Sequence, residues 1–442
     1  MAMKTFVKFL AACCLSVLLF GGLPAGAQTA DQKPAAVRES ETSAAKRSVI
    51  RNTGDIARAT YEDSLITARR LLRAVEALTD KPSERTLAAA REAWRAARVP
   101  YPQTEVFRFG NPVVDGWEGK VNAWPLDEGL IDYVDALYGT DSDENPLYTA
   151  NVIAHSRISH GGKTVDARRI TWRTLRSLQE FGGIEANVAT GYHAIEFLLW
   201  GQDLHGTGPG AGERPWTDYA RGAACTNGHC GRRADYLRAA TQLLVDDLTW
   251  MVRQWDAGGA ARKVYSGDPD AGIAAILTGM GSLSYGELAG ERMKLGLMLH
   301  DPEEEHDCFS DNTVNSHYYN VIGLRNVWTG SYTRIDGRTV KGASLASLAA
   351  MVAPEVAKEM DAKLAATVEA MTRLKQRGET VEAYDQMIAD GNAEGNAVVQ
   401  AAIDALTEQT KALERVVAAL ELQPIQFEGS KSLDDPEQVF QP

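Results

Sequence analysis

The segment Gly191-Tyr192-His193-Ala194-Ile195-Glu196-Phe197-Leu198-Leu199-Trp200-Gly201 is the most informative part of the chain for its architecture. As a helix, it is apolar around nearly its whole circumference, and such a helix belongs in a protein interior. His193 and Glu196 are the polar exceptions, and their spacing places them on nearly the same face. Because a buried imidazole and a buried carboxylate are costly without partners, we expect polar groups from other elements beside them.

Helical spacing dominates the rest of the chain. Apolar residues recur at three- and four-residue steps through 57–72, 87–94 and 345–368. Strand-like alternation is confined to one predicted hairpin over 332–340, with Asp336-Gly337 at its turn. The sequence therefore predicts an all-α protein of helical bundles with long loops, notably Tyr101–Tyr133 and His300–Tyr319.

Two similar blocks indicate an internal duplication. The first contains Ser142-Asp143, Tyr148, Asn151-Val152-Ile153 and Gly162-Lys163-Thr164-Val165, and the second contains Ser310-Asp311, Tyr318, Asn320-Val321-Ile322 and Gly337-Arg338-Thr339-Val340. Matches in the same order favour two related four-helix-bundle-like halves. We place the halves at 46–205 and 232–425, with a glycine-rich connector at 206–231 and a tail at 426–442.

The N-terminus predicts export. Lys4 and Lys8 precede an apolar run over 9–20 and the small triplet Ala25-Gly26-Ala27, the layout of a cleavable signal peptide at 1–27. A lipoprotein signal at Leu10-Ala11-Ala12-Cys13 is the alternative. Residues 28–45 read as a flexible arm. The apolar run over 9–20 is too short for a comfortable membrane span, and no other stretch of the sequence approaches the roughly 20 apolar residues that a span needs.

The net charge indicates which binding partners to expect, and the cysteines indicate an oxidising compartment. A formal net charge of −13 disfavours binding to the phosphates of nucleic acid, and the net negative field attracts cations in a general way. Cys225 and Cys230 flank an Asn-Gly turn signal and would most simply form a local disulfide in an oxidising compartment. A metal site that includes His229 is the alternative. Cys308 is then unpaired, and we expect it to be buried and inert.

Gly191, His193 and Glu196 form a Gly-x-His-x-x-Glu pattern. In this pattern the chain resembles the imelysin-like family, which includes insulin-cleaving metallopeptidases and cyanobacterial iron-regulated protein A. The iron-regulated branch is the nearer one. Further stretches that resemble it are Trp94–Phe109, Trp124-Pro125-Leu126-Asp127, Cys225–Cys230 with Arg232-Arg233, and His306–Asn312, whereas Val314 and Ser316 depart from the expected polar pattern.

The resemblance implies a site between the two halves, built around His193 and Glu196. Glu105 and Asp127 are our candidates for further metal ligands, with structural alternatives for each: Glu105 could pair with Arg98 or Arg108, and Asp127 could cap a helix. The resemblance also implies a periplasmic or outer-membrane-associated protein linked to iron or haem acquisition. An outer-membrane uptake receptor is the partner that this role suggests.

His300, His306 and His317 lie in or beside the acidic run 303–311. We interpret this composition as an acidic surface loop, with a second metal site as the alternative.

The candidate ligands suggest binding rather than peptidase chemistry. Carboxylates with one imidazole suit a hard cation such as Fe(III). The H-E-x-x-H string of common zinc peptidases and its inverse are both absent from the sequence. We therefore expect a protein that binds a metal ion, iron foremost, or haem. A secreted metallopeptidase is the alternative, and it would need an assembled site whose metal keeps an open position.

Overall fold

The computed structural model describes residues 35–139, 142 and 145–440, so the predicted signal peptide at 1–27 lies outside the described residues. The described part is mainly helical, which confirms the predicted all-α class. Its helices are α1 Ala35–Asp80, α2 Glu84–Ala97, α3 Pro112–Glu118, α4 Trp172–Leu178, α5 Gly191–Trp200, α6 Cys230–Gln254, α7 Ala260–Ser266, α8 Pro269–Ser282, α9 Leu295–Leu299, α10 Thr313–Thr329, α11 Leu345–Val352, α12 Pro354–Thr380, α13 Tyr384–Ile388, α14 Ala393–Ala419 and α15 Lys431–Asp434.

A π-helical segment, Leu283–Lys294, joins α8 to α9 without a break. Short 3₁₀ helices lie in the segments outside the α-helices, at Pro102–Phe107, Glu128–Leu130, Ala136–Tyr138, Trp216–Tyr219, Gly222–Ala224, Pro302–Glu304 and Pro436–Phe440. The predicted loop 101–133 therefore contains α3 and two of these turns, and α10 begins within the predicted loop 300–319.

Helix α1 begins at Ala35, so the end of the segment predicted as a flexible arm, 28–45, is helical. The alanines and charged residues of 35–45 favour helix, which explains the difference. Residues 42–442 form one compact unit, and residues 35–41 belong to another. The predicted halves at 46–205 and 232–425 thus lie within a single compact unit, and their origin by duplication stays a prediction.

Two antiparallel hairpins interrupt the helices. The predicted one is confirmed: β3 (Ser331–Thr333) pairs with β4 (Thr339–Lys341). The other, β1 (Arg157–His160) with β2 (Lys163–Asp166), was not predicted and turns at a Gly-Gly pair. Both repeat blocks enter the second strand of a hairpin, but their Asn-Val-Ile triplets differ, since 151–153 lie in turns and 320–322 lie in α10.

Helix α5 occupies the interior, as its sequence predicts. All ten of its residues are buried, and it packs against α2 and α6. Elsewhere α12 packs along α14, and α10 packs on the 3₁₀ helix at 102–107 and on α12. The end of α2 contacts α5 through the hydrogen bond from Trp94 to Tyr192, and Arg98, which follows α2, contacts α10 through Ser316.

Cys225 and Cys230 form a disulfide, as predicted, at the start of α6. Cys308 is a free, buried thiol, also as expected. Among the described helices, none combines the length and apolar character that crossing a membrane requires.

Candidate metal centre

Gly191 sets the position of α5. Its φ of +91° lies in a region that favours glycine. A Cβ at this position would come within 2.5 Å of the carbonyl carbon and oxygen of Val121. The next residue, Tyr192, donates its backbone N–H to the Val121 carbonyl at 2.7 Å. The glycine of the Gly-x-His-x-x-Glu pattern therefore allows close approach of α5 to the 121–124 segment, and this places the Trp124 ring 5.0 Å from the His193 ring.

His193 and Glu196 contact each other inside the protein, as the sequence predicts. Their side chains are fully buried, and the Nδ1 of His193 lies 3.1 Å from the Oε2 of Glu196. The other carboxylate oxygen of Glu196 accepts hydrogen bonds from the hydroxyl of Ser310 at 2.6 Å and from its backbone N–H at 3.1 Å. Glu196 thus links the helix to the loop that precedes α10.

That loop contributes two further residues, His306 and Asp307. The ring centroids of His193 and His306 are 4.7 Å apart, and the Oδ1 of Asp307 lies 3.9 Å from the Nδ1 of His193. One potential ligand atom from each of these three residues lies within 4.8 Å of the others. His193, His306 and Asp307 therefore form a compact cluster of potential metal ligands, with Glu196 hydrogen-bonded to it.

Arg98, at the end of α2, neutralises Asp307. Its guanidinium donates to both oxygens of the Asp307 carboxylate, at 2.8 and 3.3 Å, and to Asn122 at 2.6 Å. Asn312 and Ser316 also donate to Asp307, so Ser316, which departs from the family pattern, has a role in holding this carboxylate. Because both oxygens of Asp307 already have donors, Asp307 serves first as the anchor of the loop.

The environment fixes the protonation of the cluster. Burial lowers the pKa of His193 to about 3 and that of His306 well below its usual value, so both imidazoles are neutral near pH 7. Burial raises the pKa of Glu196 well above its usual value, and the neighbouring Asp307 raises it further. Burial would also raise the pKa of Asp307, but Arg98 and the other partners bring it below its usual value. Neutral imidazole is the form that coordinates metals.

The other two predicted ligands lie in different contacts. Glu105 is buried and pairs with Arg292 of the π-helical segment, with 2.7 Å between Oε2 and Nη2. This partner is neither Arg98 nor Arg108, the two that we considered from the sequence. Asp127 accepts a hydrogen bond from Asn145, and although it occupies the N-cap position of a 3₁₀ helix, its side chain makes no capping bond there. The structure therefore does not place Glu105 or Asp127 in the cluster that contains His193.

The surface-loop interpretation of 303–311 is wrong for most of the run. Glu305, His306 and Asp307 are each at most 2% exposed, and His317 is fully buried. Only the flank resembles a surface loop, with Glu303 exposed. The run is internal because Arg98 compensates the charge of Asp307 and because Cys308 and Phe309 carry the loop into the apolar core.

Residues 57–413 match the family model described as Imelysin. The chain belongs to the imelysin family. It is 24% identical over 316 residues to iron-regulated protein A of Synechococcus elongatus, with 71% of each chain covered.

Two solved structures share the imelysin fold. One, a provisionally named iron-regulated protein A precursor from Parabacteroides distasonis, gives a TM-score of 0.60 at 18% identity over 90% of this chain and 98% of that one. The other, an imelysin-like protein from Psychrobacter arcticum, gives a TM-score of 0.52 at 16% identity over 87% and 97%. At these identities the likeness concerns the fold.

The residues of this imelysin fit a metal ion. The Nε2 of His193 and both ring nitrogens of His306 are buried and have no hydrogen-bond partner in the described structure. Buried polar atoms nearly always have a partner, so these three nitrogens are available to a metal ion or to water, as are the two ring nitrogens of His317. The hydrogen bond from Nδ1 to Glu196 orients the His193 ring, as carboxylates commonly do for metal-binding histidines.

Proposed function

We propose that this imelysin binds one metal ion, iron foremost, between His193 and His306, and that it acts in the cell envelope as a binding protein for iron uptake. The observation that carries the proposal is the pair of buried imidazoles with unpartnered ring nitrogens. Asp307 or Glu196 supplies the nearest carboxylate oxygen. Two imidazoles with one carboxylate are a ligand set typical of divalent iron. This set is richer in nitrogen than the one we expected from the sequence.

The name of the Synechococcus relative, iron-regulated protein A, supports iron over other metals. Imidazole ligands also suit zinc and copper, so the choice of iron rests on that relative and not on the ligands alone. Packing favours a bare ion over haem, because the rings of Trp124 and His306 already contact His193, and the Phe309 ring packs on Trp124. Export to the periplasm or the outer-membrane surface, by the predicted signal peptide, completes the proposal.

The burial of the candidate metal ligands favours metal binding over peptidase activity. His193, Glu196 and Asp307 are 0% exposed, and His306 is 2% exposed. A peptidase must bring a peptide bond to its catalytic residues, whereas a small ion can enter through a transient local opening. The metallopeptidase alternative would require this region to open widely enough to admit a polypeptide.

The test is metal binding by the purified full-length protein after chelator treatment. We expect the wild type to bind one equivalent of Fe(II) under anaerobic conditions, and His193→Ala or His306→Ala to weaken binding by at least tenfold. His155→Ala is the matched control, because it removes an exposed imidazole. Failure of the wild type to bind Fe(II), Zn(II) or Cu(II) would refute the proposal. Cleavage of an unfolded protein that Glu196→Gln abolishes would instead support the peptidase.

A further inference from the structure

A second cluster of ionisable groups lies on the other side of the same loop. It consists of Glu305 and Asp311 from the loop and Asp385 from α13, and one carboxylate oxygen from each lies within 4.8 Å of the other two. Calcium binds oxygen ligands at about 2.3–2.6 Å, so oxygens on opposite sides of the ion are about 5 Å apart. The spacing of the three carboxylates therefore suits a single cation.

The burial of Asp385 is the observation that separates this cluster from an ordinary acidic surface. Asp385 is 1% exposed, and no side chain of the described structure donates to its carboxylate, whose nearest donors are the backbone N–H groups of Asp385 and Gln386 at the start of α13. Glu305 is also 1% exposed, and its Oε1 is unpartnered, as is the Oδ1 of Asp311. Burying an ionised carboxylate without a partner is expensive, and grouping three of them adds mutual repulsion.

The surrounding charges do not neutralise the cluster. Arg95 faces Asp311 and supplies one positive charge, together with His205 when that residue is protonated. Asp203 faces Asp311 and Asp385 and adds negative potential, whereas Asp307, which faces Glu305, is already paired with Arg98. The balance is negative when the three carboxyls are ionised. Burial raises the pKa of all three, so either protons or a metal cation can compensate this charge.

We propose that Glu305, Asp311 and Asp385 bind a hard, oxygen-preferring cation, with Ca²⁺ or Mn²⁺ as representative ions. The donors are all carboxylate oxygens, which suit Ca²⁺, Mg²⁺ and Mn²⁺ rather than metals that favour imidazole. Asp311 is partly exposed, so the cation has access from solvent on that side. This site shares a loop with His306 but no ligand, and it does not depend on iron binding at His193.

Calorimetric titration of the chelator-treated full-length protein with Ca²⁺, and separately with Mn²⁺, tests the site. We expect the wild type to bind one equivalent at this site and Asp385→Asn to bind at least tenfold more weakly. Glu303→Gln is the matched control, because it removes the same charge from an exposed position of the same loop. His193→Ala should retain Ca²⁺ binding, which separates this site from the iron proposal. A wild type that binds neither ion, or Asp385→Asn binding as tightly as the wild type, would overturn the inference.

Thermal unfolding distinguishes a variant that has lost the cation site from a variant that is misfolded. In chelator, Asp385→Asn should unfold at or above the wild-type temperature, because the amide replaces a buried carboxylate of similar shape to which no side chain donates. Adding Ca²⁺ should raise the Tm of the wild type and of Glu303→Gln but not that of Asp385→Asn. An equal rise in Asp385→Asn would contradict the assignment.

Discussion

Replacing Gly191 with alanine tests whether this glycine positions the metal centre. A left-handed backbone conformation costs a non-glycine residue about 1–2 kcal/mol. The new Cβ would also lie 2.5 Å from the Val121 carbonyl, where ordinary contacts begin at 3.4 Å, so the two backbones must separate by roughly 0.9 Å. Overpacking of this kind costs about 1–3 kcal/mol. We therefore expect Gly191→Ala to lose about 2–5 kcal/mol of unfolding free energy.

Gly183→Ala is the matched control, because Gly183 has a similar φ of +78° but open space where the Cβ would lie. It should lose only the conformational part, about 1–2 kcal/mol. Urea unfolding of the metal-free proteins measures both losses, provided that the m-values agree. Gly191→Ala should also weaken Fe(II) binding, since His193 follows two residues later on the displaced helix. Equal losses in the two variants, with unchanged Fe(II) affinity, would refute this account of Gly191.

Three further predictions concern the neighbouring residues. Burial lowers the pKa of His317 to about 3. As the pH falls, His317 is therefore protonated in the unfolded chain before it is protonated in the folded protein. Its contribution to stability is present above pH 6.5 and is lost towards pH 3. Unfolding measured from pH 6.5 to 4.5 should show the wild type losing about 1.4 kcal/mol per pH unit relative to His317→Gln, and parallel curves would contradict this. Arg98→Met leaves Asp307 buried without its cation and should cost about 3–5 kcal/mol in urea unfolding, whereas adding Asp307→Asn should restore part of the loss. Ser310→Ala removes the hydroxyl donor to Glu196 and should cost about 1–3 kcal/mol in the same assay, and an unchanged midpoint would show that this bond contributes nothing.

Features governed by local pattern could be predicted from the sequence. The interior position of α5 follows from its apolar circumference, and the contact of His193 with Glu196 follows from their spacing on one helix. The hairpin with Asp336-Gly337 at its turn and the Cys225–Cys230 disulfide were likewise local inferences.

Ligands that depend on distant partners could not be predicted in this way. The loop at 303–311 has the composition of a solvated surface, but Arg98, 209 residues away in sequence from Asp307, makes its burial possible. Glu105 looked like a ligand because nothing near it in sequence identifies Arg292 as its partner. One signal was present, since Cys308-Phe309 are apolar residues within the acidic run and indicate that this loop enters the core.

Anomalous diffraction at the iron edge, from crystals of the Fe(II)-loaded protein, tests most directly whether His193 and His306 bind the ion. We expect a peak within bonding distance of a ring nitrogen of both His193 and His306, with Glu196 or Asp307 beside it. An iron peak elsewhere in the molecule, with the two imidazoles left uncoordinated, would contradict the account.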